Sequence, residues 1–258
     1  MDVKAVFFDI DGTFFDHVHS CVLPETMQAV QLLHERGIKV CLCSGRAIEM
    51  ARQLGVLQLF PWDGYVGGAG VSVYNEQMEA IYEGHFTEEQ TRSIFTLGEK
   101  YDLCIHSHGQ HEFMTKPLNS YTKQALEEFH CQIPPVRQWE GELLCAISAY
   151  GPKGYDWSLF DAIEGIEVQQ PSDTCVDFIK QDTNKATGIQ KMMAYWQLDP
   201  KDCIAFGDSM NDKQMIQEAG LGIVMGNGKE ELKTYADLVI GNSDEPAIYE
   251  TLKQLKLI

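Results

Sequence analysis

Continuous apolar runs alternate with amphipathic helical patterns at both ends of this 258-residue chain. Near the start, the apolar runs "KAVFFDID" and "KVCLCSG" flank the helical pattern "PETMQAVQLLHERG", and "GYVGG" follows as a short third strand. Near the end, "DCIAFGD", "LGIVMG" and "ADLVIG" repeat the arrangement. Buried strands separated by helices are typical of a parallel sheet covered on both faces. We therefore expect the two ends of the chain to form one Rossmann-like α/β core.

The middle of the chain has a different pattern. Thr87 and Gln90 form a potential capping box before a helix, and the runs "LCIHSH", "HEFMT", "LLCAISAY", "IEVQQ" and "CVDFIK" read as paired strands. Further helices are predicted near 120–129 and 155–163. We expect an inserted α+β domain with a mostly antiparallel sheet covered on one face. It would span residues 80–182 and leave 1–79 and 183–258 as the core, with "NEQMEAIYEG" and "KQDTNK" as linkers.

Charge and composition limit the class of protein. The chain has 20 Lys and Arg against 38 Asp and Glu, a net charge of −18, which disfavours nucleic acid or an anionic membrane as a partner. The eight cysteines form no C-x-x-C pair, as expected for reduced thiols. No apolar run is long enough to span a membrane, and a strand pattern stands where a signal peptide would be. We expect a soluble cytoplasmic protein.

Two carboxylates follow the first apolar run, in "DIDGT". Asp9 and Asp11 would point to the same side of an extended segment, at the sheet edge where open α/β proteins bind ligands. Neighbouring carboxylates repel each other unless a cation lies between them. Mg²⁺ suits this position because it binds one or two carboxylates and leaves sites for phosphate oxygens. Gly12 would allow a sharp turn there.

Polar residues also lie at the ends of other predicted strands. Ser44 and Gly45 follow the second strand, where a hydroxyl and a helix N-terminus can hold phosphate. Asp208, Asn211 and Asp212 follow the strand "CIAFG", and Lys185 opens a helix in "TNKATG". Each feature alone is common in turns and caps, but the residues that follow parallel strands are expected at one edge of the same sheet, and Lys185 is a cation that could bind phosphate.

In chain order, "DIDGT", "SGR", "NKATG" and "GDSMND" resemble the four motifs of the haloacid dehalogenase (HAD) superfamily. The late segment, with "MGNG" and "ADLVI", is similar to the Cof-type phosphatase branch of that superfamily. The resemblance implies a Mg²⁺-dependent phosphatase of small phosphorylated metabolites, usually sugar phosphates. Since 35 positions separate Asp9 from Ser44 and 141 separate Ser44 from Lys185, the insertion follows the second motif, as in proteins with a C2-type cap.

The resemblance also implies roles for individual residues. Asp9 would attack phosphorus and form an aspartyl-phosphate, while Asp11 would protonate the leaving oxygen and later activate water. The residues implied to hold the phosphate are Ile10, Ser44, Gly45, Lys185 and Asn211. Those implied to hold Mg²⁺ are Asp9, the backbone carbonyl of Asp11, and Asp208, with Asn211 and Asp212 in support. Gly12, Thr13 and Arg46 are further supporting residues of the site.

Two features depart from the Cof-type pattern. The chain has "GGAG" at 67–70 where Asn-Gly-Ala is usual, and "MGNG" in place of "MGNA". Both departures bear on which substrate the protein would bind, more than on the reaction that it would catalyse.

The histidines form two short clusters, "HVHSC" (17–21) and "HSHGQH" (106–111). Neither has the spacing of a known zinc motif, so zinc is the less favoured interpretation. We expect His17 and His19 to shape the entrance of the catalytic loop. His106, His108 and His111 would lie on a cap hairpin, and with Tyr121 are candidates for substrate contact.

Two other functions remain open at this point. A phosphomutase of the same superfamily would use the same aspartyl-phosphate but return the phosphoryl group to a sugar. A phospho-accepting signalling domain also combines acidic residues, a hydroxyl and a Lys, but it is shorter and accepts phosphate on a later strand.

Overall fold

The computed structural model describes residues 2–128 and 132–258. The strands are β1 (Ala5–Phe8), β2 (Lys39–Cys43), β3 (Gly64–Gly67), β4 (Ser72–Tyr74), β5 (Ala80–Glu83), β6 (Cys104–His108), β7 (Phe113–Met114), β8 (Ala146–Tyr150), β9 (Ile166–Ser172), β10 (Cys175–Lys180), β11 (Cys203–Gly207), β12 (Leu221–Val224) and β13 (Leu238–Val239). The α-helices are α1 (Pro24–Glu35), α2 (Ile48–Leu54), α3 (Glu88–Lys100), α4 (Ser120–Glu128), α5 (Lys185–Tyr195), α6 (Lys213–Glu218), α7 (Glu230–Lys233) and α8 (Ala247–Gln254).

The larger sheet has eight strands in the order β13-β12-β11-β1-β2-β3-β4-β5. Neighbours from β13 to β3 pair in parallel, while β4 pairs antiparallel with β3. β1 lies in the middle and all four of its residues are buried, because helices cover a parallel sheet on both faces. The predicted α/β fold with a mostly parallel core sheet is confirmed.

The smaller sheet has five strands in the order β7-β6-β8-β10-β9, with antiparallel neighbours throughout. One face packs with α3 around an apolar core that includes Ile94, Ile147 and Phe178. On the other face, α4 covers one end through Ala125 and Leu126. The inserted antiparallel sheet is thus confirmed, although helices touch both of its faces.

The chain divides into two compact units. Unit 1 comprises 1–45, 56–82 and 184–258, and unit 2 comprises 46–55 and 83–183. Segment 46–55 carries α2, the helix expected after Gly45, and it groups with the insertion rather than with the core.

Some predicted elements differ from those observed. The predicted linker "NEQMEAIYEG" contains β5, because the Asn75 side chain accepts hydrogen bonds from the amides of Gln77 and Glu79 and turns the chain back. The helix predicted over 155–163 is one 3₁₀ turn, Trp157–Phe160. Its buried residues are three positions apart, the spacing that aligns side chains in a 3₁₀ helix. The predicted helix over 120–129 is present as Ser120–Glu128, and residue 129 lies outside the described residues.

The residues predicted to cap or end helices do so at the predicted positions. Thr87 and Gln90 form both hydrogen bonds of a capping box at α3. Gly37 has a positive φ of 74° just after α1, which ends the helix in the left-handed region.

The glycine-rich turn at Gly68–Gly70 brings β3 against the start of α5. Gly70 has φ +96°, and a Cβ there would lie 2.0 Å from the backbone oxygen of Asn184. This close approach places the first turn of α5, which begins with Lys185, beside the carboxyl end of the sheet.

Replacing Gly70 with Ala is expected to lower the free energy of unfolding by about 3 kcal/mol or more, because strain and a backbone clash add. Gly37→Ala is the matched control, since Gly37 also has a positive φ but has open space around it. We expect the control to lose about 1–2 kcal/mol. Urea unfolding of both variants measures the difference, and equal losses would contradict the close packing.

Candidate active site

The predicted motif residues of unit 1 follow strands that are neighbours in the sheet. Asp9 follows β1, Ser44 follows β2 and Asp208 follows β11, and β1 lies between the other two. The parallel strands end at the same edge, so the three residues lie at the carboxyl edge of the sheet, where ligands bind in open α/β folds.

Lys185 lies between two buried carboxylates. Its Nζ donates to Asp9 Oδ1 at 2.6 Å and to Asp212 Oδ1 at 2.5 Å. All three residues are at most 4% exposed. A buried ammonium is stable only with such partners, so the first turn of α5 is bound to the ends of β1 and β11.

Asp212 fixes the loop that carries Asp208. Its Oδ2 accepts the backbone N–H groups of Asp208 and Ser209, both at 2.9 Å. Together with Lys185, Asp212 therefore receives three hydrogen bonds. Thr13 donates to Asp208 Oδ1 at 3.2 Å, which links the first and last motifs.

The carboxylates of Asp9, Asp208 and Asp212 form a potential metal-binding group, with one oxygen from each within 4.8 Å of the others. Burial raises the pKa of Asp9 well above its usual value, against the opposing effect of Lys185. Burial and the nearby Asp212 raise the pKa of Asp208 to about 6. Burial opposes the charge of Lys185, but Asp212 and Asp9 raise its pKa.

Three carboxylates against one ammonium leave two negative charges without a partner when all four groups are ionised. A divalent cation would neutralise this excess, and carboxylate oxygens are the ligands that hard cations prefer. The cluster therefore suggests a divalent metal site.

The loop after Asp9 is tightly folded. Phe15 donates its N–H to the Ile10 oxygen at 2.7 Å, and Gly12 donates to the Phe15 oxygen at 3.0 Å. Gly12 has φ +79°, and a Cβ there would lie 2.7 Å from Asp208 Oδ2. Glycine is required at this position both for the turn and for the approach of Asp208.

Sequence reasoning missed Asn227, which holds this loop. Its side-chain amide donates to the Gly12 oxygen at 2.8 Å, and its side-chain oxygen accepts from the Ser243 N–H at 2.8 Å. One sequence feature could have pointed to this role: the Asn of "MGNG" follows a strand that ends at the same edge of the sheet.

Sequence reasoning also missed how the first histidine cluster contacts its neighbours. His17 Nε2 lies 2.9 Å from Asp11 Oδ1, and His19 Nδ1 lies 2.7 Å from Asp16 Oδ2. Asp16 also accepts the N–H groups of Val18 and His19. The cluster therefore fixes the segment after the loop that follows β1, and it contacts one predicted catalytic carboxylate.

The remaining predicted phosphate-binding residues have different settings. Ser44 is 1% exposed, and a Cβ on Gly45 would lie 3.6 Å from Asn211 Nδ2, which places the second motif beside the fourth. The Asn211 side-chain oxygen accepts from Ser209 at 2.7 Å. The side chain of Ile10 is fully buried, which leaves only its backbone for a ligand.

Arg46 belongs to unit 2, and its supporting role stays a prediction.

The histidines of the insertion are inside unit 2. His106 is fully buried and its Nδ1 lies 2.8 Å from the Tyr150 hydroxyl. His108 and His111 line a cavity of about 340 Å³. Tyr121 packs against the apolar cluster under α4, so its placement favours a structural role.

The sequence of this chain matches the profile of the haloacid dehalogenase-like hydrolase family over residues 6–252, and the chain belongs to that family. It is an enzyme of this class, a HAD-type phosphatase or hydrolase. The predicted family and enzyme class are confirmed.

A curated relative and two solved structures match between 95% and 99% of the chain. An HMP-PP phosphatase of Serratia proteamaculans (strain 568) is 25% identical over 261 residues, covering 95% of this chain and 93% of the relative. A hypothetical protein from Geobacillus kaustophilus HTA426 is 27% identical with a TM-score of 0.91, covering 99% and 100% of the two chains. The HAD-superfamily phosphatase BT1666 of Bacteroides thetaiotaomicron is 24% identical with a TM-score of 0.88, covering 99% and 96%. The similarity to BT1666 shows only that the two proteins share a fold.

Across the described residues, no helix combines the length and the hydropathy that a membrane span requires.

Proposed function

We propose that this enzyme is a Mg²⁺-dependent phosphatase of small phosphorylated metabolites that works through an aspartyl-phosphate on Asp9. Sugar phosphates are the first substrate class to test. The observation that carries the proposal is the convergence of Asp9, Lys185, Asp208 and Asp212 at one edge of the sheet. The name of the Serratia relative, a phosphatase, supports the same reaction class.

Asp9 is proposed as the nucleophile. Its carboxylate follows the central strand, and Lys185 binds one of its oxygens, which leaves the other oxygen for attack on phosphorus. As the bond from Asp9 to phosphorus forms, the bond from phosphorus to the leaving oxygen breaks. Lys185 neutralises charge on the reacting group, since it is buried and held between two carboxylates.

Asp11 is proposed as the general acid and base. It gives a proton to the leaving oxygen in the first step and takes one from water in the second, when water attacks phosphorus and releases Asp9. Its side chain is one-third exposed, at 34%, and contacts His17. We infer that His17 orients the Asp11 carboxyl in the free enzyme.

The residues present fit a bound Mg²⁺. Asp9, Asp208 and the backbone of Asp11 would hold it, whereas Asp212 already accepts three hydrogen bonds and would act by positioning Asp208 and Lys185. When bound, the ion supplies positive charge to the phosphate oxygens.

A turnover screen tests the function. The purified chain with Mg²⁺ would be incubated with a panel of sugar phosphates, other phosphorylated metabolites and an aryl phosphate, and free phosphate would be measured. Release of stoichiometric free phosphate identifies a phosphatase, while isomerised sugar phosphate with little free phosphate identifies a mutase. No turnover of any ester would reject both.

Replacing Lys185 with Met is expected to lower kcat/KM by about a hundredfold or more, because the phosphate loses a buried cation. The variant should also lose about 3–5 kcal/mol of stability, because two buried carboxylates are left without their partner. Phosphate release and urea unfolding measure the two effects. Lys253→Met, a change on the exposed face of α8, is the control and should alter neither.

A further inference from the structure

A short loop between β12 and α7, residues 225–229, contacts both segments that carry the proposed metal ligands. Its Asn227 side chain donates to the Gly12 oxygen at 2.8 Å. Two residues later, the Lys229 N–H donates to the backbone oxygen of Asp208 at 2.8 Å. The loop therefore connects the segment after β1 with the segment after β11, and all of these residues belong to unit 1.

A third hydrogen bond closes these contacts into a ring. Thr13, the residue after Gly12, donates from its side chain to Asp208 Oδ1 at 3.2 Å. The residues of this hydrogen-bonded ring are Gly12, Thr13, Asp208, Asn227 and Lys229. Because the ring is closed, the segment after β1 cannot move away from Asp208 unless one of its three hydrogen bonds breaks.

Gly12 is the residue of the ring with the greatest backbone freedom. Its φ is +79°, and glycine reaches more conformations than any other residue. The carbonyls of Gly12 and Asp11 belong to neighbouring peptide groups, which are joined only through the backbone bonds of Gly12. A hydrogen bond on the Gly12 oxygen therefore limits how far the Asp11 carbonyl, a proposed Mg²⁺ ligand, can turn.

The Asn227 side chain is itself held from the opposite side. Its side-chain oxygen accepts the Ser243 N–H at 2.8 Å, which directs the amide NH₂ group toward Gly12. The neighbouring Gly226 N–H donates to the Gly241 oxygen at 2.8 Å. Asn227 is exposed, so its hydrogen bonds should contribute little to the stability of the fold. Their main effect is to fix positions.

The size of the metal ion makes these positions important. Mg²⁺ requires near-octahedral geometry with ligands at about 2.0–2.1 Å, whereas Ca²⁺ accepts distances of about 2.3–2.6 Å and a more variable arrangement. The proposed ligands come from both segments that the ring joins. The spacing between the segments should therefore affect the binding of Mg²⁺ more than that of Ca²⁺.

We propose that Asn227 is a positioning residue that sets the selectivity of the metal site for Mg²⁺ over Ca²⁺. By holding the Gly12 carbonyl, it keeps the segment after β1 at the distance from Asp208 that the smaller ion needs. This role rests on the proposed function, since it takes Asp9, Asp208 and the Asp11 carbonyl as the ligands of Mg²⁺.

Metal binding in the absence of substrate tests this role. The rise in Tm over a series of MgCl₂ or CaCl₂ concentrations gives an apparent dissociation constant for each ion. Asn227→Ala is expected to raise the constant for Mg²⁺ about tenfold, a typical loss for a residue that orients metal ligands. The constant for Ca²⁺ should change much less. The variant should fold, because the replaced side chain is exposed.

Asn227→Asp separates the two contacts of the side chain. A carboxylate can still accept from Ser243 but cannot donate to the Gly12 oxygen. Because its added charge attracts both ions, only the ratio of the two dissociation constants is compared. This ratio should shift in favour of Ca²⁺, as in Asn227→Ala.

Asn75→Ala is the matched control. Asn75 also holds a turn of unit 1, by accepting the N–H groups of Gln77 and Glu79. This turn follows β4, which runs antiparallel to β3, so it lies at the edge of the sheet opposite the candidate site. The variant should lower Tm without changing the ratio of the two dissociation constants.

The possible results distinguish this role from the proposed function. In Asn227→Ala, equal changes in the two dissociation constants, or no change in either, would overturn the role of Asn227 even if the wild type releases phosphate. A wild-type Tm that does not respond to Mg²⁺ would overturn it as well. A selective loss of Mg²⁺ binding in a protein that hydrolyses no ester would support the role of Asn227 and reject the phosphatase function.

Discussion

Replacing Asp9 with Asn is expected to reduce phosphate release by about a thousandfold or more, to near the uncatalysed background. A carboxamide cannot form the bond to phosphorus that the proposed reaction requires. The fold should persist, because the Asn side-chain oxygen can still accept from Lys185, and the substitution removes one negative charge from a cluster with an excess of them. Steady-state phosphate release measures the effect, with circular dichroism to check folding.

Asp63→Asn is the matched control for Asp9→Asn. Asp63 is also a buried carboxylate of unit 1, 7% exposed, that accepts from a lysine, Lys39, at 2.6 Å. Its loss should change stability but not kcat per folded molecule. Trapping the phosphoenzyme and locating the phosphate by mass spectrometry adds direct evidence. Substantial activity in Asp9→Asn, or a phosphate on another residue, would show that a different group attacks.

The sequence predicted the architecture because local patterns determine it. The apolar run before Asp9 can only be a buried strand, and adjacent parallel strands necessarily bring their following residues to one edge. This is why the proximity of Asp9 and Asp208 could be expected from positions nearly two hundred residues apart, whereas the place of Lys185, which begins a helix, was implied by the family resemblance.

The sequence could not predict contacts that depend on exact side-chain placement. Asn227 reaches Gly12 across 215 positions, and nothing in "MGNG" specifies that partner. Asp212 was expected only in support, although it holds both Lys185 and the Asp208 loop, because accepting three donors is a property of the folded loop. The side-chain contacts that link Asp177, Ser148 and His108 join three strands, and they depend on the register in which these strands pair.

The sequence analysis also assigned the edge strand β5 of the larger sheet to a linker, and this error has a physical reason. The segment containing β5 is polar and only partly buried, so it lacks the continuous apolar pattern that marks a central strand. An edge strand has one hydrogen-bonded neighbour and tolerates such a composition. Pattern reasoning therefore assigned it to a linker.

Removal of divalent metal is expected to abolish phosphate release, and Mg²⁺ should restore it more effectively than Ca²⁺, which has looser coordination.

The same metal site should also affect the stability of the fold, because the carboxylates of Asp9, Asp208 and Asp212 face a single ammonium group. Mg²⁺ should therefore raise the Tm of the wild type by binding the folded state. In Asp208→Asn, one repelling carboxylate is gone, so the metal-free Tm should rise while the Mg²⁺-induced increase shrinks. Phosphate release and thermal unfolding in chelator, Mg²⁺ and Ca²⁺ measure both effects. Full activity in excess chelator would show that the reaction does not need the metal. An equal Mg²⁺-induced increase in Tm in the two proteins would show that the metal binds elsewhere.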